Sequence, residues 1–153
     1  MASWSFTKIQ DFPLALGEVI SGLNASTSIK FALSNTAPAS ETSNPTQDGN
    51  GVLANVTQIS YTNYTDSLTA DRVLESVTWT DSAGTATLDC GDFSITASGG
   101  AIAQFQYLYV YDDAPTAPAD PLIGLWTRAS ALTLADTEQV NITINASGLI
   151  DVS

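Results

Sequence analysis

From Thr27 onward, apolar residues recur at every second position, and that change of period constrains the fold more than any other feature of the sequence. Ile29, Phe31 and Leu33 alternate with Ser28, Lys30 and Ala32, the pattern of a half-buried strand. Val73, Glu75, Val77 and Trp79 continue it on one predicted face, and Phe93, Ile95 and Ala97 repeat it before Gly99-Gly100. Gln104 to Tyr111 is different, with Phe105, Tyr107, Tyr109 and Tyr111 on one predicted face and Leu108 and Val110 on the other. A strand apolar on both sides is expected to be central in its sheet. Leu122 to Trp126 adds a further apolar run. Leu132 to Leu134 and Val140 to Ile144 flank the turn signal Ala135-Asp136-Thr137-Glu138, which predicts a hairpin. Leu149, Ile150 and Val152 are placed to close the sheet. About eight short strands separated by turns predict an all-β chain, an antiparallel sandwich or jelly-roll-like barrel.

The stretch before Thr27 has another period. Ile9, Phe12, Leu16, Val19, Ile20 and Leu23 recur at spacings of three and four, one face of a helix. Pro13 fits a first helical turn capped by Asp11 or Phe12, so an irregular arm to Asp11 followed by a short helix ending near Leu23 is expected. Residues 34–51, with Pro38, Pro45, Gly49 and Gly51, predict a long polar loop. Val52 to Ile59 is compatible with a helical turn or a strand, and Tyr61 to Tyr64 reads as another exposed loop. With 153 residues and no internal repeat, the reading is one domain, residues 1–153, with an N-terminal arm and helix over about 1–23.

Charge excludes several functions. Lys8, Lys30, Arg72 and Arg128 are the only basic residues against 16 acids, a formal charge of −12. Four dispersed cations cannot neutralise a phosphate backbone, so no nucleic-acid partner is expected, and anionic membrane surfaces are disfavoured likewise. The chain has no histidine, the commonest general base and metal ligand, and its one cysteine, Cys90, can form neither an intrachain disulfide nor a Cys-rich zinc site. Asp11 and Glu18 interrupt the apolar segment a signal peptide would need, so synthesis in the cytoplasm without secretion is expected.

No candidate for chemistry completes its motif. Asp112-Asp113 and the pair Asp89 and Asp92 could form an acid/base couple, but all flank turns, where aspartate bonds nearby backbone. Asp48-Gly49-Asn50-Gly51 has the flavour of a calcium loop, yet the twelfth position is Ile59 where a bidentate glutamate belongs. Without histidine no Ser-His-Asp triad exists, Lys30 alternates outward to solvent, and Cys90 reads as a buried, inert thiol. Trp79, Tyr107, Tyr109, Tyr111 and Trp126 could make a sugar-binding platform, although aromatics on strands more often pack. Neither a catalytic residue, a cofactor nor a metal ligand is assigned, and no enzyme is expected.

Residues 28–38, Ser-Ile-Lys-Phe-Ala-Leu-Ser-Asn-Thr-Ala-Pro, resemble the "LKVALTNTAP" stretch of a large group of small virion proteins of tailed bacteriophages. Asp120-Pro121-Leu122-Ile123-Gly124 is similar to their "DPLIG", and Ala97-Ser98-Gly99-Gly100-Ala101-Ile102 to their "TASGGSIG", in the same order. The sequence departs from them in its longer loop at residues 40–51 and at Asp136-Thr137, where their turn often carries glycine. The resemblance covers most of the chain and implies a structural virion protein: a head decoration (cement) protein, homotrimeric, on the outer surface of the capsid, with the major capsid protein as partner. The alternative is a tail-associated receptor- or carbohydrate-binding module, or a tail-tube component. On the decoration reading, the candidate capsid or subunit contacts are Trp4, Phe6 and Lys8 in the arm, and Trp126 and Arg128 beside a strand end.

Overall fold

The computed structural model describes residues 4–8, 28–37, 51–82, 85–117 and 119–152, with the backbone alone described at 4–8, 81–82, 85–86 and 151–152. The fold is all-β, built of three antiparallel sheets. The largest has the strand order β1 (Trp4–Lys8), β8 (Leu122–Leu132), β7 (Phe105–Asp112), β2 (Ile29–Ser34). A second is β3 (Tyr64–Asp66), β6 (Phe93–Ala97), β9 (Gln139–Ile142), and a third is β10 (Ile150–Val152), β5 (Thr85–Asp89), β4 (Thr78–Ser82). One core joins all three, taking Phe31, Leu108, Val110 and Ile123 from the first, Phe93, Ile95 and Ile142 from the second, and Leu88 and Ile150 from the third. The Phe31 and Phe93 rings stack at 4.8 Å across it. This is a sandwich, with the four-stranded sheet as one layer.

β7 is central, as its two apolar sides require, hydrogen-bonded to β2 and β8. Its faces are not divided as the simple alternation predicts. A register shift between Phe105 and Tyr107 inserts a bulge, so Phe105 joins Leu108 and Val110 in the main core. Tyr109 and Tyr111 lie in a second, smaller cluster on the opposite face with Ala32, Leu122 and Leu125, which Leu53, Val56 and Tyr107 flank.

Several local expectations are corrected. Trp4–Lys8 is an edge strand rather than an irregular arm, while the predicted helix at 12–23 lies outside the described residues. Val52 to Ile59 is neither a full strand nor a helix but a single 3₁₀ turn at Leu53–Asn55, preceded by a bridge from Val52 to Pro121. Val73, Glu75 and Val77 do not share a strand face. Positive φ at Arg72 (55°) and Ser76 (53°) breaks the alternation there, burying Leu74 together with Val77, and the strand begins only at Thr78. The segments around the Asp136 turn do not pair as a hairpin: β9 pairs with β6, and Leu134 accepts from the Ile102 N–H at 3.0 Å.

The exposed side of β2 is closed by an interrupted strand. Phe31 donates to Arg72 O and Leu74 to Ile29 O, while Ile59 donates to Leu33 O, with distances of 2.9–3.0 Å. The gap between these segments is filled by Tyr61, whose hydroxyl accepts from the Leu33 N–H at 2.9 Å. Tyr61 is therefore no exposed-loop residue; it substitutes for a carbonyl at an edge that would otherwise be open to pairing.

Candidate functional site

The five candidate contact residues fall on two neighbouring strands. Register places Trp4 opposite Arg128, Phe6 opposite Trp126 and Lys8 opposite Gly124. The arm and the β8 end are thus one piece of sheet rather than two separate reaches. Trp126 is only 6% exposed and belongs to the main core, so it packs within the domain instead of standing on its surface. Its edge lines a cavity of about 390 Å³ together with Ile142, Ile144, Asn145 and Leu149. Arg128 is half-buried, its guanidinium donating to Ser130 O at 3.2 Å and its carbonyl accepting from the Gln106 amide at 2.9 Å.

The aromatic platform does not assemble. Tyr109 and Tyr111 lie in the smaller cluster, Trp126 lies in the main core, and Trp79 packs half-buried on β4. The carboxylates considered for acid/base work bond to backbone: Asp89 accepts from the Cys90 N–H at 2.8 Å and Asp92 from the Ile144 N–H at 2.8 Å. Cys90 is buried, as expected, and burial, followed by the charges of Asp89 and Asp92, pushes its thiol up to about 12. Asp48 to Asn50 lie outside the described residues. Among the described residues no group of three His, Cys, Asp or Glu is arranged to hold a metal ion, and no helix is long and apolar enough to cross a membrane.

The richest polar constellation lies at one end of the four-stranded sheet. Lys30, opposite Tyr111 on β2, points outward as expected, and its ammonium ion-pairs with Asp113 just past β7. Asp112 is fully buried, and Ala114 N–H donates to its Oδ1 at 3.0 Å. Asp120, at φ 50°, returns the loop to the same corner, and its carbonyl accepts from Leu53 N–H at 3.0 Å. Next to it the Arg72 guanidinium sits 4.1 Å from the Tyr61 ring centroid, and Asp66 accepts from both the Tyr64 hydroxyl and the Arg72 N–H. Sequence reasoning found Asp112 and Asp113 as neighbours but missed Asp120, Tyr61 and the Lys30 contact. Their only signal was an acid or aromatic beside a turn.

Comparison with family models, with curated proteins and with solved structures gives no match to the chain. The three segments singled out in the sequence occupy defined places in the fold. Residues 29–34 form β2, and Leu122 to Gly124 open β8, so two of them flank β7 in one sheet. The third forms the turn after β6, where one Asp136 oxygen accepts from Gly99 N–H at 2.8 Å and Gly100 N–H at 3.2 Å. Thr137 beside it has φ 70°, the left-handed conformation that favours glycine. The departure at Asp136-Thr137 thus keeps the glycine-type backbone and adds an aspartate that holds the turn.

Proposed function

We propose that the chain is a non-enzymatic structural protein of a tailed-phage virion, a decoration protein that binds the outer capsid surface as a homotrimer and holds neighbouring subunits of the major capsid protein. The observation that carries this reading is that two of the three segments bearing the resemblance, β2 and the start of β8, flank β7 in one sheet, while the third forms the turn after β6. Adhesion by such a domain needs only modest affinity per copy, because many sites at fixed spacing multiply retention. The β1 end of the sheet suits the contact. Trp4–Lys8 forms the terminal strand of the sheet, paired on one side only with β8, so its other edge can take backbone pairing from a neighbouring subunit.

The deciding experiment is quantitative mass spectrometry of separated heads and tails from particles carrying this protein. Abundance on heads scaling with the capsid lattice is expected. Recovery with tails alone, in a few copies, would overturn the decoration reading and favour a tail-associated binding module.

A further inference from the structure

The corner where β2, β7 and the loop to β8 meet holds more carboxylates than cations. Lys30 pairs with Asp113. Asp112 is shut off from solvent, with Oδ1 occupied by the Ala114 N–H and Oδ2 enclosed without a hydrogen-bond partner. Asp120 faces Asp113, Lys30 and Asp112 from the far side of the loop. Tyr111 contributes a buried phenol from β7, and the charge of Arg72 and the hydroxyl of Tyr61 face that phenol from the segment closing the β2 edge. Three backbone bonds converge on the same place: Asp113 N–H to Ser28 O at 2.8 Å, Asp112 N–H to Pro121 O at 3.1 Å, and Leu53 N–H to Asp120 O at 3.0 Å. These acids therefore sit where three separate segments are tied together.

A buried carboxylate oxygen without a donor is most costly when charged, and carboxyls that face each other cannot all ionise cheaply. A proton on Asp120 turns repulsion into a hydrogen bond from its hydroxyl to the Asp113 carboxylate, which keeps its charge and its bond to Lys30. We propose that this corner is a proton-operated clamp, in which uptake of a proton by Asp112 or Asp120 holds the loop after β7 against Ser28 and Leu53, and release of that proton loosens it. The proposal is independent of the capsid reading. The electrostatics support the direction. Burial foremost, with the charge of Asp113 behind it, pushes both Asp112 and Asp120 above the ordinary aspartate value of 3.8. The opposing pull of Ala114 N–H and the Ser28 hydroxyl on Asp112, and of Lys30 on Asp120, does not reverse this. A folded-state pKa raised above the unfolded one gives stability that is fully present below the unfolded value and lost as pH rises through the folded value. The clamp is thus loosest at neutral pH and tightest below the ordinary aspartate value.

The test is carboxyl carbon NMR of the full-length protein titrated from neutral to acid, with amide hydrogen exchange at Leu53 and Asp113 corrected for intrinsic rates. Asp112 and Asp120 should both titrate above the ordinary aspartate value, and exchange at the two amides should slow as pH falls through those midpoints, reaching its slowest below the ordinary value. In Asp120→Asn, the amide donates to Asp113 at every pH, so protection at neutral pH should rise above wild type and the pH dependence should shrink to the part that Asp112 supplies. If that variant fails to fold, the wild-type titration decides alone. Asp112 and Asp120 both titrating at or below the ordinary range, or protection that does not change while they titrate, would overturn the clamp.

Discussion

On the inner face of the four-stranded sheet Ile29, Phe31, Leu33, Leu108, Val110 and Ile123 are all closed off from solvent, whereas the opposite face carries Lys30, Tyr107, Tyr109 and Tyr111. Both faces come from the same strands, one residue apart. The inner face is held by apolar burial shared among three sheets, and Cys90, which joins that core from the end of β5, is kept neutral by burial. The outer face is held by a smaller apolar cluster whose end merges with the Lys30 corner. One face therefore sets global stability and the other sets local order, and substitutions on the two should differ in size and in pH response.

The largest expected effect is on the inner face. Phe31 is fully buried and its ring bridges two sheets through Phe93, so Phe31→Ala should cost about 3–5 kcal/mol in denaturant unfolding. A cost comparable to that of an outer-face change would dissolve the distinction. A smaller loss is expected at the edge between the faces. Tyr61→Phe removes the acceptor of the Leu33 N–H, and an unsatisfied buried donor costs about 1–3 kcal/mol. Amide exchange at Leu33 should rise with it; unchanged exchange would mean water or another oxygen serves the same role.

Alkali probes both faces together. Cys90 belongs to the core and is pushed from 9.0 up to about 12, and Tyr111, on the outer cluster, is pushed from 10.0 up to about 12, burial being the first cause of each. Both shifts favour the neutral form in the folded state, so the stability they contribute is intact below the unfolded values and disappears as pH rises through the folded ones. Unfolding free energy should decline between roughly pH 9 and 12. Cys90→Ala should flatten the first part of that decline, before the tyrosines titrate. Parallel curves for the two proteins would show that the thiol is not the group being titrated.

The contrast between the faces also explains what could be read in advance. β6 follows simple alternation because its inward residues Phe93, Ile95 and Ala97 are buried while Ser94 and Thr96 are only partly covered, and the pattern survives intact. The same pattern at Val73, Glu75 and Val77 misleads, since two left-handed residues rotate the chain there and no local apolar period records that. Phe105 misleads through a bulge, which adds a residue to one strand without altering composition. The partner of β9 was hidden for another reason: the turn at Asp136 looked like a hairpin, but Val140 and Ile142 bury their side chains only by pairing with β6, which lies far off in sequence. The Lys30 corner was the least legible feature. Lys30 and Asp113 are 83 positions apart, and only the β2–β7 register brings them together.

That corner yields the smallest expected effect. Lys30 contacts Asp113 with side chains 26% and 41% exposed, so water screens the pair, and ion pairs in such positions contribute about 0–1 kcal/mol. Lys30→Met keeps the stem that packs along β2 while removing the charge, so global unfolding should move by no more than about that amount. The local consequence is more informative than the global one. Without the ammonium, Asp120 loses the cation that lowers its pKa while the charges of Asp113 and Asp112 still face it, so the proton is held more tightly. The titration midpoint of Asp120 should therefore move upward in Lys30→Met, while the alkaline response of Cys90 in the core stays where it was. An Asp120 midpoint that fails to move would separate Lys30 from the acid cluster and reduce its bond with Asp113 to an ordinary surface pair.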